Sequence, residues 1–139
     1  MLLIMVSAAV MAQPKVYLTR EISPESLVRI YKALGVEASG RVAVKISTGE
    51  GRNPNYLKPE LIKNLVLEVD GTIVECNTAY GSGPGNERDE RNTSANHWRV
   101  INDHGFTSYF PVDILDEYDK IHSAYFYKCL RLIISDLQI

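Results

Sequence analysis

A chain of 139 residues is the size of one domain, and folding at that size buries roughly two thirds of the surface the unfolded chain exposes. A hydrophobic fraction of 45%, a charged fraction of 23% and a formal net charge of -2 speak against wholesale disorder and give nothing that draws the chain to nucleic acid or acidic lipid. Its cysteines, Cys76 and Cys129, are too few for a disulfide scaffold and spell no metal motif.

The chain opens with MLLIMVSAAVMA, Met1 to Ala12. As a helix this run would reach about 18 Å, short of a bilayer core of about 30 Å, so no integral membrane span is expected. It ends in Val10-Met11-Ala12, a pattern a signal peptidase accepts, yet no Lys or Arg precedes Lys15, where a signal peptide carries positive charge. A clipped export signal over 1–12 and an ordinary apolar strand both fit, and the first is preferred. The first implies an exported or periplasmic protein, the second leaves a cytoplasmic one. The α/β domain is expected over 13–116.

Lys15 to Leu18 reads as a first strand. Ser23 can cap a helix, Pro24 suits its first position, and Leu27, Ile30, Tyr31 and Leu34 lie on one helical face before Gly35. Arg41 to Ile46 alternates as a second strand and opens into a loop over 47–57, rich in Gly, Asn and Pro. Pro59 starts a second helix with Leu61, Ile62 and Leu65 on its apolar face, ending by Asp70-Gly71. Thr72 to Cys76 is a third strand, in which Cys76 is expected as a small buried hydrophobe. A long loop, NTAYGSGPGNERDERN over Asn77 to Asn92, follows. Thr93 or Ser94 caps a third helix that runs to His104, with Trp98 and Ile101 packing on the sheet and Gly105 closing it. Phe106 to Leu115 is the fourth strand candidate. The segment 117–139 has dense aromatic and apolar residues without a clear period and reads equally as a last helix or strand closing the core or as a divergent or truncated tail.

Alternating strands and helices define an α/β fold. The expectation is a three-layer, Rossmann-like arrangement, with a mostly parallel sheet of about four strands and helices on both faces. Right-handed crossovers bring the loops 47–57 and 77–92 to one edge, outside the carboxyl ends of the strands, where such sheets bind ligands. The candidate ligand-binding residues there are Glu50, Asn77, Thr78, Tyr80, Arg91 and His97. Glu50 or His97 could move a proton, Arg91 could hold an anion in a forked contact, and Asn77, Thr78 and Tyr80 could orient polar atoms. Arg52 and Arg91 read equally well as solvated surface arginines. The glycines fit neither a dinucleotide fingerprint nor a phosphate loop. His97 and His104 share a helical face but lie about 10 Å apart along the axis, too far for one metal ion. No metal site is expected.

Three stretches carry a resemblance. They are Lys45-Ile46-Ser47-Thr48-Gly49-Glu50 with Asn55-Tyr56-Leu57-Lys58-Pro59; Asn77-Thr78-Ala79-Tyr80-Gly81 with Arg91-Asn92-Thr93 and His97; and Asp103-His104-Gly105-Phe106 leading to Val112-Asp113-Ile114-Leu115-Asp116. From Lys15 to Asp116 the chain resembles the bacterial and archaeal family called domain of unknown function number 362, often labelled iron–sulfur centre proteins. The resemblance implies an N-terminal piece of a longer protein. Extra residues around Ser82 to Glu90 and the tail from Glu117 depart from the family pattern. The label does not carry a cofactor over: Cys76 and Cys129 are solitary, so no iron–sulfur cluster is expected in this chain. The functional expectation is an uncharacterised small-ligand-binding domain for a small polar or anionic ligand. A redox-related enzyme domain and a non-catalytic interaction module are the alternatives, and no residue pair forms a recognised catalytic dyad by spacing.

Overall fold

The computed structural model describes residues 15–79 and 91–117, together with the backbone of 128–130. The expected export signal, Tyr80 with most of the long loop, and most of the tail lie outside the described residues. The elements run α1 (Pro24–Ala33), β1 (Val42–Lys45), α2 (Pro59–Glu68), β2 (Gly71–Glu75), α3 (Ser94–Asp103), a 3-10 turn at Phe106–Ser108 and β3 (Val112–Ile114). The fold is mixed α/β, with three helices and a parallel sheet of β1, β2 and β3.

Local signals set the helix ends. The Ser23 hydroxyl accepts from Ser26 N at 3.1 Å, and the Ser26 hydroxyl accepts from Ser23 N at 3.2 Å, which is a reciprocal capping box with serine in the place usually held by Glu or Gln. Thr93 caps α3 by accepting from Asn96 N at 3.3 Å, a contact of a kind that contributes about 1 kcal/mol. Pro59 opens α2, where the missing N–H costs no helical bond.

Val44 pairs with Ile73 across β1 and β2, and Ile73 with Val112 across β2 and β3. The core gathers Val42, Val44, Ile46 and Ile73 from the sheet, Ile62, Leu65 and Val66 from α2, Ile101 from α3, and Phe106, Phe110 and Ile114. Each such side chain contributes about 1.5–3 kcal/mol when fully buried. Ala43 and Val74, which alternate with the core-facing positions, are buried as well. β1 also pairs in parallel with a short segment, β4 (Lys128–Leu130), in which Cys129 stands opposite Ala43. Among the described residues no helix is long and apolar enough to cross a membrane.

The structure corrects the sequence reading at three places. Lys15 to Leu18 forms no strand, and Val16 and Leu18 are 92% and 88% exposed. Strand propensity needs a partner and a covering layer. The chain beside it is instead drawn into a local turn, where the Thr19 hydroxyl accepts from Glu21 N at 3.1 Å. The expected strand from Phe106 to Leu115 is only Val112–Ile114, because Gly105 turns left-handed, Phe106–Ser108 coils, and Pro111 has no N–H to give a ladder. Cys76 is exposed rather than buried, one position past the end of β2.

Candidate functional site

Period two along β2 places Glu75 on the same side as Ile73, so a carboxylate reaches the core at the carboxyl edge of the sheet. Glu75 is 2% exposed. Isolating an ionised carboxylate from water costs several kcal/mol, so its oxygens must be matched by donors. They are. Oε1 accepts from Thr48 N at 2.6 Å, Thr48 Oγ1 at 3.1 Å and Arg91 Nη1 at 3.4 Å; Oε2 accepts from Lys45 Nζ at 2.7 Å. Burial works against the charge, but His97, the Lys45 ammonium and the Thr48 amide outweigh it and hold the Glu75 carboxyl at about 2. His97 Nε2 stands 3.9 Å from Oε1, within ion-pair range but beyond a hydrogen bond.

Thr48 is the centre of the loop after β1 and is fully buried. Beyond its two bonds to Glu75, its carbonyl accepts from His104 Nδ1 at 2.7 Å, which places the His104 proton on that nitrogen. The His104 ring stacks on Tyr56 with centroids 3.7 Å apart and planes 3° from parallel, and Lys58 Nζ lies 3.4 Å from the Tyr56 ring centre. Gly49, at φ 86°, fits under this stack; a Cβ there would overlap Tyr56 Cβ. Both loop ends of α3, through His97 and His104, therefore close on one threonine.

Arg91, 7% exposed, lies on the far side of Glu75. Its Nη2 donates to Glu50 Oε1 at 2.6 Å and its Nη1 to Ser47 Oγ at 3.3 Å. Its Nε is buried and has no hydrogen-bond partner among the described residues. His97, fully buried, faces Asn77 Oδ1 at 3.2 Å through Nδ1 and Thr48 Oγ1 at 3.4 Å through Nε2. Asn77 is fixed in turn: its Nδ2 donates to Ser94 Oγ at 3.0 Å and its backbone N to Asp116 Oδ1 at 2.8 Å. Thr78 joins through its backbone, with N donating to Arg91 O at 2.8 Å.

Of the sequence-derived candidates, Glu50, Asn77, Arg91 and His97 converge, Thr78 sits beside them, and Tyr80 lies outside the described residues. Sequence reasoning missed Glu75, Thr48, Lys45 and the stacked pair Tyr56 and His104. The signal available for Glu75 was its place in a β-branched run, on the Ile73 side of the strand. Trp98, taken as packing, does pack on the core, and its Nε1 also donates to Glu117 Oε1 at 2.9 Å.

Among the described residues no group of three or more His, Cys, Asp and Glu side chains could hold a metal ion. A cleft of about 290 Å³ lies at the opposite edge of the sheet, around Gly40, Val42, Asp70, Gly71 and Phe110, and a second lies on the surface of α1 and α2. Neither touches Glu75 or Arg91. We weigh the charged cluster above the clefts, because buried charge is costly and needs specific compensation, whereas an open groove needs none. No family model, curated protein or solved structure matches the chain.

Proposed function

We propose that this chain is a small-ligand-binding α/β domain that takes a small anionic ligand at the carboxyl edge of its sheet, with Arg91 as the anion-holding residue. One observation carries the reading: a buried guanidinium, held on one side by Ser47 and Glu75, keeps a buried Nε–H that has no hydrogen-bond partner among the described residues. A buried donor left unpaired costs about 1–3 kcal/mol, and a carboxylate or phosphate oxygen is the group that satisfies it best. Glu75 is a positioning residue in this reading. A carboxyl held at about 2 stays ionised near neutrality and is a weak base, so it orients Arg91 and Thr48 instead of moving protons.

The domain reads as the N-terminal piece of a longer protein of the kind found in the domain of unknown function number 362 family. Its sheet reads as a three-layer, Rossmann-like one in which β4 is the fourth strand. Two things support that layering: the spatial order β3-β2-β1-β4, and the burial of Ala43 and Val74 on the side opposite the core. No iron–sulfur cluster is expected in this chain.

A thermal-shift series with phosphate, small carboxylates, nucleotides and metal ions tests the function. It is run on the native chain and on the Arg91→Lys and His97→Ala variants. Lysine keeps the charge and removes the fork. An anion at a hundred times its Kd should stabilise the native chain by about 2.7 kcal/mol and the Arg91→Lys chain far less. Equal stabilisation of all three would move the site elsewhere, and no stabilising anion would replace the reading with that of an interaction module.

A further inference from the structure

The side chains at this edge that carry an electron pair are not equivalent. Glu75 is ion-paired and a weak base, and Glu50 is paired with Arg91. His97 is fully buried, with Asn77 Oδ1 facing one ring nitrogen and Thr48 Oγ1 the other. His104 differs. Its Nδ1–H is committed to the Thr48 carbonyl at 2.7 Å, so the uncharged ring carries its lone pair on Nε2. Nε2 has no hydrogen bond among the described residues, and the buried side-chain polar atom that lacks one there is Arg91 Nε. Nε2 of His104 therefore reaches the surface, through the 8% of the residue that is exposed.

The ring is also held in place and prepared for charge. It stacks on Tyr56 with planes 3° from parallel. It lies beside Gly49, where a Cβ would come to 3.5 Å from Cε1, the carbon that joins the two nitrogens. When Nε2 forms a bond, the ring becomes positive. That charge meets the Thr48 carbonyl oxygen in the ring plane and the π face of Tyr56, and both attract it. Lys58 Nζ is 3.4 Å from the centre of the Tyr56 ring, but His104 covers one face of that ring, so the ammonium lies on the other, away from Nε2.

We propose that His104 is a nucleophile, whose Nε2 attacks the carbonyl carbon of an activated acyl compound, an ester with a good leaving group. The proposal stands apart from the anion-binding reading of Arg91. Nε2 bonds to the carbonyl carbon, the bond from that carbon to the leaving oxygen breaks, and the oxygen departs with the electron pair. Nδ1–H stays on the Thr48 carbonyl. Water then adds to the acyl carbon, the C–N bond breaks with its pair returning to Nε2, and the two water protons pass to the solvent and the departed oxygen. Other electrophiles fit less well. A metal ion needs further donors, and among the described residues no group of three or more His, Cys, Asp and Glu side chains could hold one. A phosphoryl group needs cations around its oxygens, and the Lys58 ammonium beside the stack is turned away, donating to Pro54 O at 2.9 Å.

The ester p-nitrophenyl acetate tests this on the full chain, with the chain in excess over the ester at neutral pH. Mass mapping of the rapidly quenched native chain should place the acetyl group on His104 ahead of His97, since a fully buried ring reacts only through local opening. Nitrophenolate release should fall to background in His104→Gln. A long-range proton–nitrogen spectrum needs no variant, and it should show hydrogen on Nδ1 and none on Nε2 at a pH where the ring is uncharged. An acetyl group on His97 as readily as on His104, or on neither, overturns the proposal, as does undiminished release by a folded His104→Gln chain. A spectrum with the proton on Nε2 overturns the tautomer on which the proposal stands.

Discussion

The two edges of the sheet are built differently. Where the strands end, Glu75, Arg91, His97 and His104 are buried, and nearly every polar atom among them is matched. Where the strands begin, around Gly40, Val42, Asp70 and Gly71, there is an open cleft of about 290 Å³, while Arg41 and Asp70 stay exposed. The cleft around Gly40 and the buried charges around Glu75 thus lie at opposite edges. The first edge carries charges whose burial costs several kcal/mol each unless they are paired, so its residues are interdependent. At the second, the charged Arg41 and Asp70 are exposed, so replacing either strands no buried charge. The comparison predicts that substitutions of the charged residues at the carboxyl edge cost more, depend on pH and propagate to neighbouring side chains, and that those of the exposed Arg41 and Asp70 at the amino edge do not.

The largest effect should come from Glu75→Ala. It leaves the buried Arg91 without its buried anion and the half-exposed Lys45 without its partner, and breaking a buried pair costs about 3–5 kcal/mol. Urea unfolding measures it. A loss below about 1 kcal/mol, the range of exposed pairs, would remove the distinction between the edges. The same residue sets a pH dependence. Its folded carboxyl titrates at about 2 against an ordinary value of 4.5. A depressed value in the folded state means stability that is present above the ordinary value and lost as pH falls toward the folded one. The native chain should therefore lose stability between about pH 4.5 and about pH 2, the window those values define. The Glu75→Gln chain should show a flatter slope there. Parallel slopes would show that other carboxylates govern acid unfolding.

The same contrast explains what could be read from the residues. Ser23 with Pro24, Pro59, Thr93 and Gly105 mark helix ends through local chemistry that acts within a few residues, and the structure keeps those ends to within a residue or two. The loop edge was legible too, since strand–helix alternation alone sends the loops after β1 and β2 to one side. Lys15 to Leu18 was not, because a strand exists only when another strand accepts its hydrogen bonds, and nothing local says whether one does. Glu75 was hidden for a related reason. Within Thr72-Ile73-Val74-Glu75-Cys76 it reads as one charged residue in a mostly apolar strand, and its meaning depends on Arg91 and Thr48, which are distant in sequence. His104 looked complete as a helix-terminal residue; its hydrogen bond to Thr48 and its stack on Tyr56 come only with the fold.

A pair of glycine substitutions gives the finest test of the difference between edges. Gly40 and Gly49 both adopt left-handed backbone, at φ 76° and 86°. An added Cβ therefore strains both, by about 1–2 kcal/mol. The surroundings separate them. A Cβ on Gly40 meets nothing within 4 Å, so Gly40→Ala should cost that strain and no more. On Gly49 it would collide with Tyr56 Cβ and come to 3.5 Å from His104 Cε1. Tyr56 cannot yield freely, since His104 is stacked against its ring and is bonded to Thr48. Gly49→Ala should therefore cost a further amount of about 1–3 kcal/mol, the usual range for overpacking. It should also move the His104 ring resonances, which Gly40→Ala should leave in place. Equal losses in unfolding free energy for the two variants, with His104 undisturbed in both, would mean that the loop after β1 gives way as easily as the turn before it, and that the carboxyl edge is not the rigid half of the sheet.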